Sequence, residues 1–375
     1  MALSDHDALC LNVLLVADVQ AIRIDESNMT VYGLTDRGQA SVELHPNCRS
    51  DQYLRHVREM LSEHVLDSPG GYPIYLRRWT RMGQIRDDTL ARFLLLGEPE
   101  AVVAVVHAPG LTAELARRAW WAMPRAEHAR RMLERPCVAE APIGKVLTDY
   151  LVEYLPFEDQ PQAIIDSISL VLTTGVADDA IRRRIWQMGR QRNAYHAAFL
   201  SCLPDAIPIP LPPHPLLQTL LPVFEPLIEQ GNIYTMQIAR AFSAPGQAFL
   251  NACQDVLRHA TSQEEVNTLL NALADYFRSV KLAGARRPTI NEIISKLTSL
   301  MQCDATPAAL RQLLDTVPEL NREICAMLVL SCCSADIVEP VLSRTTAIGS
   351  LMRTKLAPVI ESVLAQFAIL RGTPS

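Results

Sequence analysis

Val105 to Arg125 reads VVHAPGLTAELARRAWWAMPR, and Leu170 to Arg190 reads LVLTTGVADDAIRRRIWQMGR, an ungapped match at an offset of 65 positions. Identities fall at Val106/Val171, Gly110/Gly175, Arg117/Arg182, Arg118/Arg183, Trp121/Trp186, Met123/Met188 and Arg125/Arg190. The whole chain holds four Trp, so a matched pair weighs more than matched Leu would. Each copy has an apolar segment, a Gly stop, an acidic first turn (Glu114; Asp178 and Asp179) and a second segment ending at Pro124 or Gly189. That punctuation predicts a helical hairpin. The offset of 65 exceeds the roughly 40–47 residues of HEAT and armadillo units. The expected fold is therefore mainly α, with an irregular, HEAT-like helical-repeat array.

Outward from these copies, residues 51–203 carry helical spacing such as Tyr53, Val57, Met60 and Leu61, with a break at Pro69-Gly70-Gly71. Residues 1–50 differ. Val13–Val16, Gln20–Ile24, Met29–Tyr32 and Ala40–Leu44 are short β-prone runs, separated by Asp25–Asn28 and Thr35–Gly38, which suit hairpin turns. A small antiparallel sheet of about four strands is expected there, leaning on a helix that starts near Asp51.

Residues 204–232 are rich in proline, with eight between Pro204 and Pro226, and predict an initially extended, semi-rigid linker that packs along a surface through its leucines and Phe224. Residues 233–375 read as a C-terminal helical domain of five to seven helices. Ser262–Glu265 and Thr289–Glu292 have the capping-box spacing, and Thr306-Pro307 places an N-cap before a first-turn proline.

The formal net charge of −6 argues against a chain that coats nucleic acid or anionic membrane through overall charge. Nine dispersed cysteines without a C-x-x-C pair indicate neither a disulfide framework nor a zinc knuckle, and fit a reducing cytoplasm. The first residues carry Asp5 and Asp7 where a secretory signal would place Lys or Arg. No apolar run reaches the roughly 20 residues of a membrane helix. A soluble, cytoplasmic chain is expected.

Common catalytic signatures are absent: there is no G-x-G-x-x-G, H-E-x-x-H or G-x-S-x-G, and Gly144-Lys145 lacks the upstream glycine of a phosphate loop. No catalytic residue, metal ligand or cofactor is assigned. On an ideal helix Arg117 and Arg125 flank Trp121 at i−4 and i+4, and Arg182 and Arg190 flank Trp186 likewise, so guanidinium groups can lie across an indole face. Arg118, Arg130, Arg131, Arg183, Arg184 and Arg192 would extend this into a basic groove if the copies stack. One reading is a docking surface for an acidic protein, or for single-stranded RNA through stacking and phosphate contacts. The other is that Trp is core and the Arg stems lie over it toward water. Cys325, Cys332 and Cys333 are candidate reactive thiols, or small buried apolar side chains.

Three segments, RRAWWAMPRAEHARRML (117–133), LVEYLPFEDQPQAIIDSI (151–168) and RRIWQMGRQRNAYHAAF (183–199), together resemble the DsrS family, soluble proteins encoded with the dissimilatory sulfite reductase genes of sulfur-oxidising bacteria. The resemblance implies a cytoplasmic accessory role in sulfur metabolism with a protein partner in that system. It transfers no catalytic residue. The expected activity is non-catalytic docking through the Arg/Trp surface, with an RNA-binding regulator and a cysteine-dependent sulfur carrier or enzyme as the alternatives.

Overall fold

Ser4 opens the first helix, Asp5–Val16, by accepting a hydrogen bond from the Asp7 amide, and Asp5 and Asp7 place negative charge at its positive end. These capping signals override the β-prone run Val13–Val16, which is helical and not a strand. The remaining three runs do form strands: β1 (Ala21–Asp25), β2 (Thr30–Thr35) and β3 (Gly38–Glu43) make an antiparallel sheet in the order β1-β2-β3. Ile22 pairs with Gly33, and Val31 pairs with Val42.

Both expected turns are present. The Asp25 carboxylate caps the first, accepting from the Ser27 amide at 3.0 Å and the Asn28 side-chain amide at 3.0 Å. Gly38 takes the φ of +119° that closes the second, a conformation open to glycine at little steric cost. The structure, a computed structural model, describes residues 3–66, 87–175, 177–282, 289–301, 303, 306–344 and 347–372. Pro69-Gly70-Gly71 lie outside them.

The chain divides into two compact units, Met1–Pro156 and Phe157–Ser375. The division falls inside the stretch 51–203, so the two copies of the matched segment belong to different units. In the first unit, one sheet face joins Leu11 and Leu14 of the first helix to Tyr53, Leu54, Val57 and Leu61 of the Ser50–Leu66 helix. The Ile22 amide donates to the Leu94 carbonyl at 2.8 Å, tying β1 to the chain after the Asp87–Phe93 helix. Helices Pro99–His107, Ala113–Ala122, Ala126–Leu133, Pro136–Ala139 and Pro142–Tyr154 follow, and Ala113–Ala122 packs against β1.

Helices are the only regular elements among the described residues of the second unit. Its centre is Asn193–Cys202, which buries Ala194, Tyr195, Ala197, Ala198, Phe199 and Leu200 against helices Pro161–Thr173, Ala244–His259 and Gln263–Tyr276. A helix buried on most sides is expected to be apolar around its circumference, and this one is. The proline-rich stretch is only partly extended: Leu217–Glu229 is a helix that contains Pro222 and Pro226. Leu220, Phe224 and Leu227 recur along one side and are buried, and the helix packs on Ile233–Phe242. That burial offsets the backbone bonds the two prolines forfeit. Ahead of it, His214 pins the chain by donating its amide to the Phe242 carbonyl at 2.8 Å and stacking on the Phe242 ring at 4.0 Å.

From Ile233 onward the described residues hold eight α-helices, not five to seven. The Thr289–Glu292 box closes reciprocally, with the Glu292 amide on the Thr289 hydroxyl and the Thr289 amide on the Glu292 carboxylate. Ser262 caps Glu265 in the expected way, but the carboxylate of Glu265 accepts from the Thr261 amide at 2.7 Å, one residue earlier. Thr306 is not an N-cap. Its hydroxyl turns back to the Leu300 carbonyl at 2.7 Å, and Pro307 takes the cap position before Ala308–Thr316.

Candidate functional site

The two copies keep a common helical course but place their tryptophans in different surroundings. In both, the helix before the glycine packs against the helix after the tryptophan: Pro99–His107 against Ala126–Leu133, and Pro161–Thr173 against Asn193–Cys202. The N-caps are displaced by one alignment position. Thr112 caps the first Trp-bearing helix by accepting from the Leu115 amide, and Asp178 caps Asp179–Met188 by accepting from the Ile181 amide at 2.8 Å. Gly175 has φ +74°, the left-handed stop, and Gly110 is not among the positive-φ glycines.

The expected i−4, i+4 bracket does not form. The first helix ends at Ala122, so Arg125 is the extended N-cap residue of the next helix, and the second ends at Met188, so Arg190 lies in the following turn. Arg125 and Arg190 are exposed there. Arg117 is drawn to Glu114, donating Nε to one oxygen at 2.9 Å and Nη2 to the other at 2.7 Å, and Nη2 also reaches Gln20 at 2.6 Å. Arg118 joins the same carboxylate at 2.7 Å. Hydrogen bonding from Arg117, ahead of opposing burial, holds the Glu114 carboxyl down to about 2. Arg182 sits 3.3 Å from Asp179.

Trp186 is core. It is 8% exposed, lies 4.2 Å from the His196 ring and 5.1 Å edge-on from Phe199, and its carbonyl meets His196 Nε2 at 3.0 Å. A Cβ at Gly189 would overlap the His196 ring, so glycine there permits the approach. Burial lowers the His196 pKa, keeping the ring neutral. Trp121 is only half-buried. Its cation partner comes from the sheet: the Arg23 guanidinium lies 5.1 Å from the Trp121 ring and 5.0 Å from the Tyr32 ring. Packing of Ala113–Ala122 on β1 produces this three-residue stack. Trp120, beside it in sequence, meets Tyr150 edge-on at 4.8 Å, and Tyr150 stacks on Tyr154 at 5.8 Å.

Sequence reasoning missed Arg23 and Tyr32. Their signal was the alternation of β1 and β2, which sets both on one sheet face, but nothing local ties that face to Trp121. The further arginines are largely engaged: Arg131 with Glu134, and Arg192 with the Glu158 carbonyl and with Asp159 at 3.4 Å. The candidate thiols differ from what a nucleophile needs. Burial pushes up the thiol pKa of Cys325 and of Cys333, and Cys333 donates to the Val329 carbonyl at 3.2 Å. Cys332 is partly buried at the end of the Asn321–Ser331 helix.

A second cluster was also missed. His6, Asp7 and His45 bring donor atoms within 4.8 Å of one another. The exposed and buried members alternate, with Asp7 fully buried between two exposed imidazoles. No local spacing pointed to it, because His45 lies 38 positions from Asp7.

No protein-family model matches the chain, and neither a curated protein nor a solved structure matches it.

Proposed function

We propose that this chain is a non-catalytic accessory protein of cytoplasmic sulfur metabolism that docks a protein partner through the Arg/aromatic surface of its first unit. The observation that carries the docking face is the Arg23–Trp121–Tyr32 stack, a half-buried indole held by a sheet arginine, with exposed Arg125 just beyond the helix end. Arginine and aromatic side chains dominate the energetics of many protein interfaces because they present large, rigid area together with directed donors. The sulfur-metabolic setting rests on the resemblance of residues 117–133, 151–168 and 183–199 to the DsrS family. Trp186 has no part in docking, since it is buried against His196 and Phe199.

The engaged arginines weigh against the RNA reading, because Arg117 and Arg118 share the charge of Glu114 and Arg131 that of Glu134. The raised thiols weigh against the sulfur-carrier reading. The test is affinity capture from a lysate of a sulfur-grown sulfur oxidiser, with the full chain as bait. A protein of the sulfite-reductase system is expected on the wild type and is expected to be lost from Trp121→Ala and Arg125→Glu. Recovery of no such protein, or equal recovery on both variants, overturns the proposal.

A further inference from the structure

From the cluster on the first helix we infer a zinc-class metal site formed by His6, Asp7 and His45. The backbone builds it from two directions. Helix Asp5–Val16 presents the adjacent His6 and Asp7, the first exposed and the second buried. The chain after β3 brings His45 over Asp7, so that donor atoms of all three lie within 4.8 Å of one another. The His6 and His45 rings then face edge to face-on, with centroids 5.8 Å apart and planes at 65°.

Asp7 is the pivot. One carboxylate oxygen, Oδ2, accepts from the Tyr53 hydroxyl and from the His45 amide at 2.7 Å. The other, Oδ1, is 3.2 Å from His45 Nδ1. Tyr53 is itself fully buried, so the carboxylate is fixed from behind while Oδ1 faces the imidazoles. Hydrogen-bond donors behind a metal-binding carboxylate orient it in this way. Two donors sharing a tetrahedral zinc stand roughly 3.3–3.6 Å apart, given bonds of about 2.0–2.3 Å. The 3.2 Å between Asp7 Oδ1 and His45 Nδ1 lies close to that range, and a His6 nitrogen is within 4.8 Å of donor atoms on both.

The buried Asp7 carboxylate is held by hydrogen bonds, from the Tyr53 hydroxyl and the His45 amide on Oδ2 and beside the His45 imidazole on Oδ1. On the Oδ1 side a divalent cation can take the place of the imidazole proton. Two imidazoles and a carboxylate select a borderline ion such as Zn(II), and disfavour Mg(II) and Ca(II), which take oxygen donors.

The test uses the full chain, stripped with chelator, and Zn(II) in competition with a chromophoric chelator, with Co(II) as the spectroscopic probe. One equivalent is expected to bind, tenfold or more weaker in His6→Ala and in His45→Ala, and unchanged in the control His107→Ala. Both ligand histidines are exposed, and circular dichroism identical to wild type confirms that each variant is folded. Intense visible Co(II) bands report four-coordination by the three side chains and one solvent molecule. Binding no tighter than in the His6→Ala/His45→Ala double variant overturns the site.

Discussion

Trp121 and Trp186 occupy matched sequence positions, and substituting each alone reads out how far their surroundings differ. Removing the Trp186 indole leaves a cavity between His196 and Phe199, so Trp186→Ala is expected to cost about 3 kcal/mol or more. Trp121→Ala loses a half-buried ring and one cation–π partner, and less than half that cost is expected. Urea unfolding of both variants checks the ranking, and equal losses would contradict it. The same contrast of position holds for the thiols. Cys253 and Cys333 are buried with their thiols raised by burial, and Cys137 and Cys303 are exposed. An aromatic disulfide reagent on the native chain is expected to titrate Cys137 and Cys303 rapidly, and Cys253 and Cys333 only in denaturant. Mass mapping that finds Cys333 among the fast thiols would reopen the sulfur-carrier reading. In the sequence, the paired Trp and the clustered cysteines were visible, but burial was not, because it depends on which helices meet: Asn193–Cys202 over Trp186, and Gly349–Leu370 against the cysteine-bearing Asn321–Ser331 helix.

At the scale of elements, the signals that read correctly are those whose physics is local. The two hairpin turns follow from Asp25, Asn28 and Gly38, and the Thr289–Glu292 box from side chains three residues apart. Val13–Val16 misled because β-branched residues suit strands, whereas the helix there is started by Ser4, Asp5 and Asp7 upstream. The Leu217–Glu229 helix was hidden by its prolines, since its stability comes from Leu220, Phe224 and Leu227 and not from propensity. The Arg/Trp bracket failed for a related reason: periodicity assumed a helix through Arg125 and Arg190, and both helices stop short of them. Two substitutions test the Trp186 element. Asp178→Ala removes the N-cap bond to Ile181 and should cost about 1 kcal/mol. Gly189→Ala keeps an allowed φ of −59° but drives a methyl group into the His196 ring, for an expected loss of about 1–3 kcal/mol. Chemical denaturation measures both, and a neutral Gly189→Ala would show that the His196 ring can move aside freely.

For the molecule as a whole, buried titratable groups set opposing dependences of stability on pH. Glu98 is buried at the start of Pro99–His107, and burial raises its carboxyl to about 7 despite Arg58, whose Nε lies 3.1 Å away without hydrogen-bond alignment. The folded chain therefore keeps a proton that the unfolded chain releases near the ordinary glutamic acid value. That contribution is complete below about pH 4.3 and is lost as pH rises through about 7. His128 in the first unit, and His196 and His214 in the second, behave oppositely. Burial lowers all three, so each favours folding above its unfolded value near 6.5, an advantage that fades as pH falls through the depressed folded value. Wild-type stability between pH 5 and 8 is a sum of these, so its slope alone identifies none of them. Glu98→Gln isolates one: the variant cannot lose the proton, so its stability relative to wild type should grow by about 1–2 kcal/mol from pH 5 to pH 8, the full shift being discounted for solvent screening. The comparison cancels the histidines, which both proteins share. Urea midpoints at the two pH values decide it, and a difference that does not change with pH would mean that Glu98 is ionised throughout.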